Sequence, residues 1–152
     1  MLPIATKYTL VAGAAEGPTA LNAFDNALLA AGIGNLNLVR VSSIVPPGAR
    51  RAEYLDVPPG ALVPTAYGST VSSTPGEVIA AAVAVGLGES GLGVIMEFAG
   101  RCSREEAESE VRRMVEQALR GRGLQVKELH LRAVEHRVEQ TGCVVAAVAL
   151  WG

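Results

Sequence analysis

Cysteines, aromatic residues and basic charge are all scarce in this chain. Of its 152 residues only 4% are aromatic and two are cysteines, and the formal net charge is -2. A weakly acidic chain lacks the dense basic surface that binds phosphate backbones, so we expect no nucleic-acid partner. Cys102 and Cys143 form neither a CxxC pair nor a cluster with histidine, which argues against a disulfide framework and against a zinc site.

Long apolar runs are missing as well. The longest, residues 78–88, is well short of the roughly 20 residues that span a bilayer, and no basic segment followed by an apolar run opens the sequence. We therefore expect a cytoplasmic protein with no membrane association. The hydrophobic share of 49% against 18% charged residues excludes a disordered chain. The length predicts a single domain over 1–152.

Hydrophobic patterning predicts two helices and about six strands. One helix begins near Thr19 and ends near Ala31, and the other follows the capping box Ser103 to Glu106 and ends before Gly121. The predicted strands are 7–12, 36–42, 61–71, 91–98, 124–139 and 143–151, while 78–87 fits either a strand or a short helix. This order predicts an α+β domain in which sheets dominate and the helices lie outside them.

The last two strands carry two further expectations. Leu129 and Leu131 share one parity and Val134 and Val138 the other, which indicates a bulge or a sheet crossing near Ala133. The turn at Gly142 predicts that strands 124–139 and 143–151 form a hairpin.

Most familiar catalytic patterns are absent. Gly32-Ile-Gly34 and Gly86-Leu-Gly88 lack the third glycine of a dinucleotide fingerprint, and no GxxxxGK[ST] occurs. His130 and His136 have no third ligand nearby, so we expect no metal site.

A pair of serines before a double proline stands out in the segment Arg40 to Pro47. Paired serines at a strand end commonly form only turn hydrogen bonds. Alternatively, a hydroxyl held rigidly beside the preceding carbonyl attacks it, provided that polar groups stabilise the oxyanion.

Several segments, in order along nearly the whole chain, closely resemble the pyruvoyl-dependent arginine decarboxylases. The matching stretches are 21–25, 31–35, 37–47, 60–68, 95–97, 133–136 and 149–151. This resemblance favours self-processing over a simple turn for the serine pair.

The resemblance implies a zymogen that undergoes autocatalytic cleavage between Ser42 and Ser43. The Ser43 hydroxyl attacks the Ser42 carbonyl to form an ester, β-elimination gives dehydroalanine, and hydrolysis leaves a pyruvoyl group with loss of ammonia. The products are a β chain of residues 1–42 and an α chain of residues 43–152. The only cofactor is the pyruvoyl group derived from Ser43, with no metal and no pyridoxal phosphate.

The implied activity is that of a carbon-carbon lyase which converts L-arginine to agmatine and CO2 in polyamine biosynthesis, through an imine with the pyruvoyl group. Glu97 is the implied general acid, and burial beside Val94, Ile95 and Met96 is a means of raising its pKa. Asn37 is implied to hold the substrate carboxylate or the oxyanion of cleavage.

Substrate binding is implied for Asp25, Gly34, Ser42 and Ile44, with Asp25 meeting the guanidinium group. The family fold is an αββα sandwich of antiparallel or mixed sheets with outer helices. It assembles as a homotrimer or hexamer with active sites between subunits.

Two segments depart from the family pattern. Phe98-Ala99 stands where a tyrosine and a more polar residue are expected, and the loop 48–51 is divergent and basic. Two alternatives stay open: a decarboxylase of another amino acid such as histidine, or an unprocessed, non-catalytic homologue that binds amines in an oligomer.

Overall fold

Nine strands and two helices make up the computed structural model, which describes residues 1–152. In chain order they are β1 (Lys7–Glu16), α1 (Ala20–Ala30), β2 (Asn37–Arg40), β3 (Ile44–Val45), β4 (Arg50–Arg51), β5 (Leu62–Ser72), β6 (Val78–Leu87), β7 (Gly93–Gly100), α2 (Arg104–Arg120), β8 (Glu128–Arg137) and β9 (Gly142–Trp151). Neither helix combines the length and apolar character needed to cross a membrane.

The strands form two sheets that pack face to face. Sheet one has the order β2-β5-β9-β1-β4 and is mixed, since β2 and β4 run parallel to their neighbours, whereas sheet two, β3-β7-β6-β8, is antiparallel throughout. Their inner faces bury one apolar core, which includes Tyr8, Leu10, Ile79, Ile95 and Val148. Burial of this apolar surface is the main force that holds the sheets together.

Each helix covers the outer face of one sheet. α1 buries Ala23, Ala27 and Leu28 against sheet one, and α2 buries an apolar stripe that includes Val111 and Val115 against sheet two. The predicted α+β fold with αββα layers is confirmed. The capping box is confirmed too, since Ser103 Oγ accepts from the Glu106 amide and the Glu106 carboxylate accepts from the Ser103 amide.

Close packing of α1 explains why the first strand is longer than predicted. β1 continues past Ala12 to Glu16. A Cβ at Gly13 would lie 2.5 Å from the Ala27 carbonyl oxygen, so this glycine permits the helix to approach the sheet instead of ending the strand.

Residues 78–87, whose sequence fits either a strand or a short helix, form the strand β6. Residues 79–86 are all buried, because α2 covers one face of β6 and sheet one covers the other. A strand buried on both faces loses its alternation of apolar and polar residues, which removes the signal that periodicity would supply.

Both expectations for the last two strands are wrong. β8 pairs with β6 from Glu128 to Arg137 without interruption, so there is no bulge at Ala133. The two parities are the two partly buried faces of a regular strand: Leu129 and Leu131 face α2, and Val134 faces the inter-sheet core. β9 pairs with β1 and β5 rather than with β8, so the β8–β9 connection crosses between sheets and forms no hairpin.

Candidate active site

The serine pair lies where the chain crosses from sheet one to sheet two. The Val41 amide donates to the Thr65 carbonyl oxygen in sheet one at 3.2 Å, and the Ile95 amide of sheet two donates to the Ser43 carbonyl oxygen at 2.8 Å. The predicted strand 36–42 therefore ends early, with β2 stopping at Arg40. The Ser42–Ser43 peptide bridges the gap between two anchored strands.

The peptide in this gap is free of the hydrogen bonds that hold its neighbours. Neither the Ser42 carbonyl nor the Ser43 N–H takes part in a backbone hydrogen bond. Ser42 is exposed and Ser43 half-buried, and β3 begins at the next residue, where Ile44 pairs with Val94. An accessible carbonyl next to a hydroxyl, both fixed by rigid flanks, is the geometry that an intramolecular attack requires.

Glu97 points from β7 into the space between the sheets. It shares its strand face with Ile95 and Ala99, which belong to the inter-sheet core, and it lies against Gly68 of β5. Burial raises the pKa of Glu97 above its usual value, and the nearby positive charge of Arg40 opposes that rise. The net shift favours the protonated carboxyl, which is the form that can donate a proton.

Arg40 is a residue of the site that sequence analysis missed. Its guanidinium carbon lies 4.2 Å from the centroid of the Tyr67 ring, and its Nη2 donates to the Tyr67 carbonyl oxygen. The centroid of the Phe24 ring of α1 lies 6.2 Å from the centroid of the Tyr67 ring. The available signal was an arginine at the strand end, two residues before Ser42.

Asn37 and Gly34 lie apart from the serine pair. Asn37 opens β2 and its Nδ2 donates to the Gly60 carbonyl oxygen at 3.0 Å, while Gly34 lines a pocket of about 230 Å³ with Leu29. Asn37 and Val41 are four steps apart along extended chain, which is about 13 Å at 3.3 Å per residue. Within one chain the Asn37 amide therefore does not reach the Ser42 carbonyl.

Asp25 is exposed on α1 and forms no salt bridge within the chain. The residue before it, Phe24, is the one that contacts Tyr67. Asp25 therefore stands on the surface of α1, with its carboxylate available to a cation.

The residues at the crossing fit the pyruvoyl group that Ser43 would form by self-processing. Ser43 is the first residue after the unbonded peptide, its own carbonyl is held by Ile95, and Glu97 follows two residues later on the same strand. No group of three or more histidine, cysteine, aspartate or glutamate side chains is arranged to bind a metal ion.

The site thus combines an αββα sandwich, a serine peptide at the crossing between its two sheets, and a glutamate with a raised pKa. The model of the family Pyruvoyl-dependent arginine decarboxylase matches residues 7–151. The chain belongs to this family, which confirms the resemblance found in the sequence.

Curated relatives agree with this assignment. The pyruvoyl-dependent arginine decarboxylase of Methanocaldococcus jannaschii is 52% identical over 145 residues, which cover 94% of this chain and 88% of the relative. The proteins of the same name from Pyrococcus abyssi and Pyrococcus horikoshii are 46% and 47% identical, each match covering 95% of this chain and 94% of the relative.

Proposed function

We propose that this protein cuts itself between Ser42 and Ser43 and then decarboxylates L-arginine to agmatine and CO2. The observation that carries the proposal is the position of the serine pair: its peptide lies unbonded between the sheets, and the Ser43 carbonyl is held by Ile95, two residues before Glu97, in a chain that matches the arginine decarboxylase family over residues 7–151.

In the maturation step, the Ser43 hydroxyl attacks the Ser42 carbonyl and the Ser42–Ser43 peptide bond breaks. The anchors at Val41 and Ile95 keep the two groups adjacent, which lowers the entropic cost of reaching the transition state. The β chain, 1–42, stays attached after cleavage because β1 pairs with β9 along ten residues, from Lys7 to Glu16. The α chain, 43–152, contains the remaining strands and α2.

The pyruvoyl group derived from Ser43 would supply an electron sink for the electron pair released as CO2 leaves. Glu97 then returns a proton to the substrate carbon, a role that its raised pKa supports. The inter-sheet position of Glu97 limits water at the proton donor.

Substrate recognition requires a second subunit in this proposal. Asn37 and Gly34 of one copy complete the site formed by Ser43 and Glu97 of another, since the extended strand β2 holds Asn37 about 13 Å from Val41 of its own chain. Asp25 receives the substrate guanidinium group, for which a carboxylate accepting two parallel hydrogen bonds is the best partner. A homotrimer, alone or paired into a hexamer, is the assembly we expect.

Intact mass of the denatured protein tests the maturation step. Splitting 15.7 kDa at the serine pair predicts fragments of roughly 4 and 11 kDa, the larger lighter by about 17 Da than a chain that begins with serine. Ser43→Ala should remain one chain, whereas the control Ser109→Ala, an exposed serine on α2, should be cut like the wild type. An uncut wild-type chain after prolonged incubation would favour a non-catalytic homologue.

The substrate is tested on the cut protein by measuring CO2 and agmatine released from arginine, with histidine as the competing substrate. Release from arginine supports the proposal. Release from histidine alone would keep the chemistry and overturn the substrate.

A further inference from the structure

The hydrogen-bond ladder between β2 and β5 stops one step before the serine pair. In this parallel ladder the Asn37 amide donates to the Ala61 carbonyl oxygen at 2.9 Å, and the Val41 amide donates to that of Thr65 at 3.2 Å. The bonds of a parallel ladder recur at every second residue. A continued ladder would therefore join the Ser43 amide to the Tyr67 carbonyl oxygen.

A side chain takes the place of that bond. The Tyr67 carbonyl oxygen accepts from the Arg40 guanidinium group, which is also held over the Tyr67 ring at 4.2 Å. A charged donor in this position is stronger than a backbone amide. The chain leaves sheet one at Ser43. The Ser43 amide makes no backbone hydrogen bond, and the Ser43 carbonyl oxygen accepts one from the Ile95 amide of sheet two.

We propose that Arg40 is a positioning residue for self-cleavage: by occupying the Tyr67 carbonyl oxygen it ends the ladder and leaves the Ser42–Ser43 peptide free in the gap. This inference rests on the proposed function. A Ser43 amide bonded to Tyr67 would hold the serine in extended strand geometry, away from its own preceding carbonyl.

The chemistry of the step explains why a free amide matters. The bond from Ser43 Oγ to the Ser42 carbonyl carbon forms, the bond from that carbon to the Ser43 nitrogen breaks, and the hydroxyl proton ends on the nitrogen, which becomes an amine. The nitrogen must change from planar to pyramidal to accept that proton. A hydrogen bond from its N–H to a fixed strand carbonyl opposes the change.

The positive charge of Arg40 also acts on Glu97 through space. Burial raises the pKa of Glu97 and Arg40 lowers it, so the same guanidinium that ends the ladder sets part of the pH range in which Glu97 is protonated. The effect of Arg40 on the pKa of Glu97 can be measured as a shift of the pH profile, which a purely structural residue would not cause.

The test compares Arg40→Gln and Arg40→Lys with the control Arg112→Gln, which removes an exposed arginine from α2. Cleavage is followed by the loss of the uncut chain with time after synthesis. We expect Arg40→Gln to slow cleavage by about tenfold or more, since a hydrogen bond to a charged group is lost. Arg40→Lys, which keeps the charge but not the planar stack, should be slowed less.

The pH dependence of decarboxylation by the cut fraction is the second measurement. The rate falls at high pH as Glu97 loses its proton. Loss of the neighbouring positive charge in Arg40→Gln should move this fall to higher pH, while Arg40→Lys and Arg112→Gln keep the wild-type profile.

Cleavage of Arg40→Gln at the wild-type rate would overturn the inference. So would slow cleavage accompanied by a lowered melting temperature and an unchanged pH profile, since that combination describes a merely structural residue. A wild type that is cut but releases no CO2 from arginine would instead overturn the proposed substrate, and the comparison of cleavage rates would still stand.

Discussion

The Glu97 side chain occupies the space that a side chain at position 68 would fill. A Cβ built on Gly68 would lie 3.1 Å from Glu97 Cγ and 3.3 Å from its Cβ. The proposed acid of β7 thus depends on the absence of a side chain on β5, in the other sheet.

Gly68→Ala is therefore expected to displace Glu97 by a few tenths of an ångström and to lower kcat by roughly tenfold, because catalysis is sensitive to small errors in position. The measurement is CO2 release from arginine at saturating substrate. Gly100→Ala is the matched control, since a Cβ there meets only the Phe98 ring at 3.5 Å, an ordinary contact. Equal kcat values for Gly68→Ala and Gly100→Ala would show that the close contact between position 68 and Glu97 does not affect catalysis.

Removal of the proton donor should affect decarboxylation and leave maturation intact. Glu97→Gln keeps the shape of the side chain but has no acidic proton, so we expect kcat to fall by about 10²- to 10⁴-fold. In the wild type the rate should fall as pH rises through the raised pKa of Glu97, because the protonated form is the active one. A Glu97→Gln enzyme with the wild-type rate and pH profile would assign the donor to another group.

Asp25 is expected to act on substrate binding more than on the chemical step. Asp25→Asn loses the charge that the guanidinium group meets, so KM for arginine should rise by roughly tenfold or more while kcat changes less. Glu116→Gln removes another exposed helix carboxylate and serves as the control. An unchanged KM would show that Asp25 is an ordinary residue of the helix surface.

Acid stability should depend on Glu16 at the end of β1. Its carboxylate accepts from His136 Nε2 at 2.6 Å and from the amides of Glu139, Gln140 and Thr141, which ties the β8–β9 crossing to sheet one. Burial raises the pKa of Glu16, but these hydrogen bonds outweigh that effect and lower it from 4.5 to about 2. A lowered pKa stabilises the fold above pH 4.5, and this stabilisation is lost as pH falls towards 2.

Glu16→Gln should reduce the free energy of unfolding near neutral pH by about 1–3 kcal/mol. Between pH 4.5 and 2 its stability should decline less steeply than that of the wild type. Denaturant unfolding near pH 7 measures the first effect and circular dichroism during acid titration the second, with the exposed loop variant Glu89→Gln as control. Parallel acid curves for wild type and Glu16→Gln would contradict this account.

Local signals predicted the helices well and the strand pairing poorly. The Ser103–Glu106 capping box and the apolar stripe of α2 are properties of neighbouring residues, and they were read correctly. The parity of the apolar residues in β8 predicts a bulge, and this prediction is wrong because parity alone does not reveal that α2 covers one face and sheet one the other. The supposed hairpin failed for a similar reason: its short turn carries the chain between sheets.

The sequence by itself determined the family, the α+β class and the candidate serine pair, because these depend on which residues occur and in what order. Only the tertiary structure decided that Arg40 takes the ladder position of Ser43 on Tyr67, and that Gly68 makes room for Glu97. Both relationships join residues from different strands, and strand pairing is set by burial of the whole core rather than by local preference. The predicted strand 36–42 already separates Asn37 from the serines, whereas the position of β2 at the edge of sheet one depends on the pairing of the whole sheet.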